Sequence, residues 1–243
     1  MILVTGAAGA LGRATVKAFR EAGFPVVGFD TDPAVVPAME QADYAGFAVD
    51  VRDERAVEKA LRQAHERGPL HHVVGIAGGA LPDEPPTQDD PAALQPDVFR
   101  ASLELNLTSQ FVVLRAALPW LRESSGDRSI TLTSSLNALT GCGMPAYSAA
   151  KAGLIGMMHA LVAPLGAEGI RVNVVAPGTI RTPRTERIWA HDQGHWGRLE
   201  AGTALGRLGT PDDVAESYLA LATRLTHVTG QVLVVDGGQM VKR

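Results

Sequence analysis

Seven short apolar runs alternate along this chain with segments of helical spacing, and the first run passes into the first helical segment through a glycine-rich turn. The runs lie at residues 2–5, 25–30, 44–49, 72–76, 129–133, 171–175 and 231–235. Taken together they are dominated by apolar residues more than by strict alternation, which points to burial on both faces of a sheet. Helical patterns fall between them, at Leu11, Ala14, Ala18, Phe19 and Ala22, then at 56–67, 99–122, 147–167 and 214–222. Such an order predicts an α/β fold, a doubly wound, parallel, seven-stranded sheet with helices on both faces. The 243 residues and 46% hydrophobic content suit one domain over residues 1–243, with no repeat or linker to divide it. Two stretches break the rhythm, 78–96 and 183–206. Both are long for plain connectors. The second carries Trp189, His191, His195 and Trp196 and is expected to form a substrate lid.

The turn reads Thr5-Gly6-Ala7-Ala8-Gly9-Ala10-Leu11-Gly12. Glycines between a strand and a helix let the backbone approach a pyrophosphate, and the helix start adds N–H groups and a positive dipole end. This is the Rossmann-like arrangement, with Gly6, Gly9, Leu11 and Gly12 as the coenzyme-facing positions. Asp30 ends the second run. A carboxylate there accepts hydrogen bonds from ribose hydroxyls and repels a 2′-phosphate, and Thr31 and Asp32 follow it instead of a basic residue. NAD is therefore expected over NADP. The competing reading is that Asp30 only caps the turn after it. Asp50 and Val51, ending the third run, are candidates for the adenine contact.

Tyr147 and Lys151 sit four apart in Tyr147-Ser-Ala-Ala-Lys151, which puts them on one face of a helix. A free phenol titrates near 10, so it needs help to exchange protons at neutral pH. A nearby ammonium favours the phenolate, which makes the pair a candidate acid/base device for an alcohol or carbonyl. Lysine is rare here, the others being Lys17, Lys59 and Lys242.

Taken with Asn106, Ser134-Ser135, Asn173-Val-Val-Ala-Pro-Gly178, Gly206-Arg-Leu-Gly-Thr-Pro211, Thr229-Gly-Gln-Val and Val235-Asp-Gly-Gly238, these motifs resemble the short-chain dehydrogenase/reductase family, in the family's order and over nearly the whole chain. The resemblance implies hydride transfer between a nicotinamide dinucleotide and a secondary alcohol or ketone. Tyr147 would be the general acid or base, and Lys151 would lower its pKa and bind the nicotinamide ribose. Ser135 would hold the substrate oxygen, although a count back from the tyrosine favours Ser134; the other serine would bond backbone. Asn106 would hold a water behind the lysine. Ala77, Gly78, Pro177, Gly178, Ile180 and Thr182 would line the coenzyme, and Asn137, Cys142 and Met144 would face the substrate.

The chain also departs from that family. Its glycine turn is spaced as in the extended branch, while its length and C-terminal motifs fit the compact one. Gly75-Ile-Ala-Gly78 stands where the family has Asn-Asn-Ala-Gly, so amides that brace the sheet beside the coenzyme are missing. Pro164 interrupts the Tyr147 helix more than three turns beyond Lys151. Two other readings stay open: an NADP-dependent ketone or 3-oxoacyl reductase with Arg13 on the phosphate, and a non-catalytic dinucleotide sensor.

The net charge of −4 gives no reason to expect nucleic acid or an anionic membrane as partner. Cys142 is the only cysteine, so no internal disulfide is expected and a reducing compartment is the simplest reading. No run reaches the ~18 apolar residues that span a bilayer, and the N-terminus opens directly on a strand pattern, so a cytoplasmic protein is expected. His71 and His72 point to opposite sides of a strand, and His191 and His195 lack a third ligand, so no metal is expected. The 147–167 helix is apolar on several faces, which predicts a partner subunit and, by the resemblance, a homotetramer.

Overall fold

The seven apolar runs form seven parallel strands, β1 (Ile2–Thr5), β2 (Val26–Asp30), β3 (Tyr44–Ala48), β4 (His72–Gly75), β5 (Arg128–Thr133), β6 (Ile170–Pro177) and β7 (Val232–Val235). The computed structural model describes residues 1–33, 43–84, 90–141, 144–188 and 194–241. The strands lie in the order β3-β2-β1-β4-β5-β6-β7. The order reverses between β1 and β4, and a crevice opens there at the carboxyl ends of the strands, which is where ligands bind in open α/β sheets.

Alternate strand residues feed two cores. Ile2, Val4, Val26, Val74 and Val175 pack with α1 (Ala10–Glu21) and α9 (Pro211–Thr223) through Val16, Phe19, Val214 and Tyr218. Leu3, Val27, Val73, Ile130, Val172 and Val174 pack on the other face with α2 (Glu54–His65), α4 (Ser109–Glu123) and α6 (Pro145–Ala167). Helix starts follow their caps. Asp53 accepts the Ala56 N–H at 3.1 Å, and Thr210 and Asp213 form a reciprocal capping box. Arg171, buried in β6, pairs with Asp127 and donates to the Leu221, Ala222 and Leu225 carbonyls, which satisfies the end of α9. His72 is buried against the Ser129 hydroxyl at 2.9 Å, and burial pushes its pKa down to about 4, so it stays neutral.

Three local features differ from the sequence expectation. The helix expected at 99–122 begins earlier, at α3 (Pro96–Leu103), and reaches α4 through a π-helical turn at Glu104–Thr108 that contains Asn106. β6 runs on to Pro177, whose pairing with Val235 carries Pro177 to the mouth of the crevice. Three short helices were not expected: α5 (Asn137–Thr140), α7 (Pro183–Ile188) and α8 (His195–Ala201). Among the described residues, Pro145–Ala167 is also long and apolar enough to cross a membrane by length and composition. It lies instead along the sheet with Leu154 and Met158 fully buried.

The missing Asn-Asn after β4 is replaced from elsewhere. Gln110 of α4 donates through Nε2 to the Ala77 carbonyl at 2.6 Å. Thr5 Oγ1 accepts the Ile76 and Ala77 N–H groups, each at 3.1 Å. Gly75 makes room for the glutamine, since a Cβ there would lie 2.2 Å from Gln110 Oε1. Gln110 is only 1% exposed, so it can yield only by giving up Ala77. Gly75→Ala is therefore expected to cost about 1–3 kcal/mol in denaturant unfolding. Gly75→Ala with Gln110→Ala should cost no more than Gln110→Ala alone, whereas additive losses would show that the two positions do not share this space.

Candidate active site

The crevice at the switch point is a cleft of about 1010 Å³. Every coenzyme position expected from the sequence lines it, from Asp30, Asp50 and Val51 at one end, past the glycine turn, Ala77 and Gly78, to Tyr147, Lys151, Pro177, Gly178, Ile180 and Thr182 at the other. Ser134 and Ser135 line it too. Asn106 does not. It is fully buried behind the wall, where its Oδ1 accepts the Gly79 N–H at 2.7 Å and its Nδ2 donates to the Gly79 and Ser102 carbonyls. Gly78 separates it from the lysine, since a Cβ there would lie 2.6 Å from Asn106 Oδ1 and 3.5 Å from Lys151 Nζ.

The turn fits a dinucleotide. Gly6 has φ +70°, and a Cβ there would lie 2.9 Å from Ala77 N. A Cβ on Gly12 would lie 2.0 Å from the Gly6 carbonyl, so α1 starts this close to the turn only with glycine. Asp30 Oδ2 accepts the Ala8 N–H at 2.9 Å and Oδ1 the Asp32 N–H at 3.1 Å. The carboxylate thus caps its own turn, as the competing reading had it, and still faces the cleft. Asp50 is held by Arg52 at 2.6 Å, and that hydrogen-bonded guanidinium lowers the Asp50 pKa. Arg13 donates from Nε to the Ala8 carbonyl at 2.7 Å and also borders this end.

At the other end the last residues of β5 meet α6. Lys151, 2% exposed, donates from Nζ to the Thr133 carbonyl at 2.8 Å. Ser134 is buried and donates to the Lys151 carbonyl at 2.8 Å. Ser135 Oγ accepts the Asn137 N–H at 3.2 Å and lines the cleft beside Tyr147, where its hydroxyl favours ionisation of the phenol. The Lys151 ammonium lies 5.7 Å from the Tyr147 ring centre. Tyr147 and Lys151 share one unbroken helix, and Pro164 leaves it continuous to Ala167.

The electrostatics differ from the expectation that the ammonium acidifies the phenol. Burial raises the Tyr147 pKa above its ordinary value. The Ser135 hydrogen bond and the Arg184 charge act against this, and the Glu84 charge adds to it. Burial also lowers the Lys151 pKa to about 8. Desolvation disfavours both charged forms at once.

Among the substrate-facing candidates, Asn137 and Met144 are absent from the cleft wall, and Cys142 lies outside the described residues. Met144 has φ 53°, the one positive φ outside glycine among the described residues. Of the expected lid, Pro183, Arg184, Thr185 and Arg187 border the cleft. Trp196 packs under the Arg181 guanidinium at 5.2 Å, while Trp189 and His191 lie outside the described residues. Sequence reasoning missed Arg184, whose guanidinium reaches the Ala80 carbonyl across the cleft, and Glu84, whose carboxylate touches the Tyr147 main chain. Neither belongs to a motif; the available signal was only a charge inside each irregular loop.

Residues 6–240 match the family model described as enoyl-(acyl carrier protein) reductase. The chain is 35% identical to an uncharacterised oxidoreductase of Schizosaccharomyces pombe, across 98% of this chain and 90% of that protein. It is 34% identical to the L-fucose dehydrogenase of Mus musculus, across 98% and 87%. A crystal structure of a short-chain dehydrogenase/reductase family oxidoreductase from Burkholderia thailandensis superposes with a TM-score of 0.88 at 34% identity, covering 98% of this chain and 92% of that one. A glycine turn at the switch point, a Tyr–Lys helix against the end of β5 and this full-length likeness leave one assignment: the chain belongs to the short-chain dehydrogenase/reductase family, oxidoreductases of CH–OH groups that work with a nicotinamide dinucleotide.

Proposed function

We propose that this protein is an NAD-dependent dehydrogenase of a secondary alcohol, or in reverse a reductase of its ketone, with Tyr147 as the proton-transfer group. The observation that carries the reading is the meeting of the Tyr147 phenol, the Ser135 hydroxyl and the Lys151 ammonium at the end of the cleft opposite Asp30. When bound, the dinucleotide supplies the carbon that accepts or gives the hydride. The chain does the rest. Ser135 donates to the substrate oxygen and withstands the charge that develops there. Tyr147 takes the hydroxyl proton in oxidation and returns it in reduction. Lys151, still charged at neutral pH, holds the nicotinamide ribose. Asn106 keeps the loop after β4 against that lysine, beside the route by which a water would pass the proton out. Pro177, Gly178, Ile180 and Thr182 would border the nicotinamide, and Pro183–Ile188, whose residues line the cleft, would form part of the substrate lid.

Tyr147→Phe is expected to reduce turnover by ~100-fold or more while NADH binding, followed by fluorescence, stays within a factor of two. A variant that kept a tenth of the rate would remove the phenol from this role. L-fucose, named in the mouse relative, is the first alcohol to assay, followed by cyclic diols, hydroxyacyl thioesters and steroids.

The preference for NAD rests on Asp30. A 2′-phosphate there would meet a carboxylate already bonded to the backbone on both oxygens. Arg13, the residue that would favour NADP, is tied by its Nε to Ala8. The ratio of kcat/KM for NAD over NADP is expected to exceed ~10 and to fall in Asp30→Ala, since removing the carboxylate removes a repulsion of this order. A wild-type preference for NADP would reverse the assignment.

We also propose a homo-oligomer, a tetramer with two-fold interfaces, in a reducing cytoplasmic setting. Phe111 on α4 is 48% exposed, and Val112, Ile155, Met157, Leu161 and Val162 are only partly buried on α4 and α6. Apolar surface of this extent along two helices suits a subunit contact. Sedimentation at micromolar concentration is expected to give four times the chain mass, and a monomer would count against it.

A further inference from the structure

Glu84 is a buried acid that the assignments above do not use. It sits in the segment after β4 and is 4% exposed. Its Oε1 accepts the main-chain N–H of Tyr147 at 2.9 Å, and its Oε2 accepts the Ser102 hydroxyl of α3 at 3.3 Å. No lysine, arginine or histidine pairs with it among the described residues. An unpaired carboxylate in such a place is costly unless N–H groups and a helix dipole compensate it.

The start of α6 supplies that compensation and needs it in return. Met144 precedes the helix in a left-handed conformation and gives no side-chain cap. Pro145 at the first helical position has no N–H. Tyr147, two residues on, has an N–H with no acceptor within its own helix, and Glu84 accepts it from 63 residues away. The same carboxylate holds α3 through Ser102, whose own carbonyl accepts from Asn106. The contact therefore joins the β4 loop, the π turn and the catalytic tyrosine.

We propose that Glu84 is a positioning residue for the reaction: it tethers Tyr147 by its main-chain amide, fixes the first turn of α6, and places a negative charge at that turn. This rests on the reading of Tyr147 as the proton-transfer group. The groups that act on that phenol are Ser135 after the end of β5, Arg184 of α7 and Glu84 of the β4 loop, with Lys151 of α6 at 5.7 Å from the ring centre and Tyr218 of α9 also nearby. Glu84 opposes phenolate formation while Arg184 and Ser135 favour it. Glutamine at position 84 keeps the acceptor for Tyr147 and can donate to Ser102, so Glu84→Gln removes the charge and spares the tether. Alanine removes both.

The test uses the full-length enzyme with saturating dinucleotide. The pH dependence of kcat for alcohol oxidation is compared in wild type and Glu84→Gln, and amide exchange at Tyr147 in wild type and Glu84→Ala. The acidic limb in Glu84→Gln should move to lower pH by roughly 0.3–1 unit, because the phenolate forms more readily without the opposing charge. In Glu84→Ala the Tyr147 amide should exchange at least ~10-fold faster, and kcat should fall by about as much, because the phenol is no longer held in register. NADH affinity should change by less than about two-fold in either variant, since Glu84 is outside the cleft wall. A limb that stays in place or moves to higher pH overturns the proposal, as does unchanged amide exchange. If Glu84→Ala fails to fold, the limb in Glu84→Gln decides. Should Tyr147→Phe remain active, the acid/base reading falls by itself, and amide exchange still reports whether the tether exists.

Discussion

Burying the Lys151 ammonium is the demand around which the rest of the site is arranged. A cation taken out of water costs several kcal/mol unless its N–H groups find acceptors. The Thr133 carbonyl is one, at 2.8 Å, on the last residue of β5. Three consecutive residues then divide the work. Thr133 accepts from the ammonium and pairs its own hydroxyl with Tyr218 at 2.8 Å. Ser134 returns a hydrogen bond to the Lys151 main chain, which fixes how far α6 stands from the sheet. Ser135, whose Oγ accepts the Asn137 N–H, lines the cleft with the phenol. One strand end thereby sets the lysine, the helix and the tyrosine at once.

The fold and the cleft wall were legible because they depend on local pattern. Short β-rich runs, mostly apolar, marked all seven strands, and the glycine spacing marked a turn whose geometry only glycine satisfies at positions 6 and 12. What sequence could not give was anything set by the field around a group. Tyr147 and Lys151 are four residues apart, and from that spacing a lowered phenol pKa follows. The structure raises it, because the half-buried phenol is desolvated and the buried ammonium is turned toward Thr133. The π turn escaped for a related reason. Its sign, Asn106 with Thr108 and Ser109 inside an apolar helix, reads as weak helix propensity until the Asn106 amide is seen to clamp Gly79.

The adenosine end follows a different logic. Asp30, Asp50, Arg13 and Arg52 are all close to solvent, and each is already engaged by backbone or by its neighbour. Under the proposed preference for NAD, discrimination would come not from a free charge but from a carboxylate whose position is fixed by the turn that would also hold the pyrophosphate, since the Ala8 N–H bonded to Asp30 belongs to the glycine turn itself.

The loop after β4 carries that principle furthest. The family places amides on the strand end, and this chain has Gly75 there, yet the Ala77 carbonyl still receives a side-chain amide, from Gln110 on the facing helix. Here the donor comes from a helix far along the sequence and not from the strand end. The exchange forces a partner change: an amide arriving from α4 occupies the volume a Cβ at position 75 would take, so glycine there is a consequence of the glutamine. The missing asparagines, which on sequence grounds count against order in this loop, are thus half of a two-part replacement. Its other half lies 35 residues on, in a helix, at a separation where no local pattern connects them.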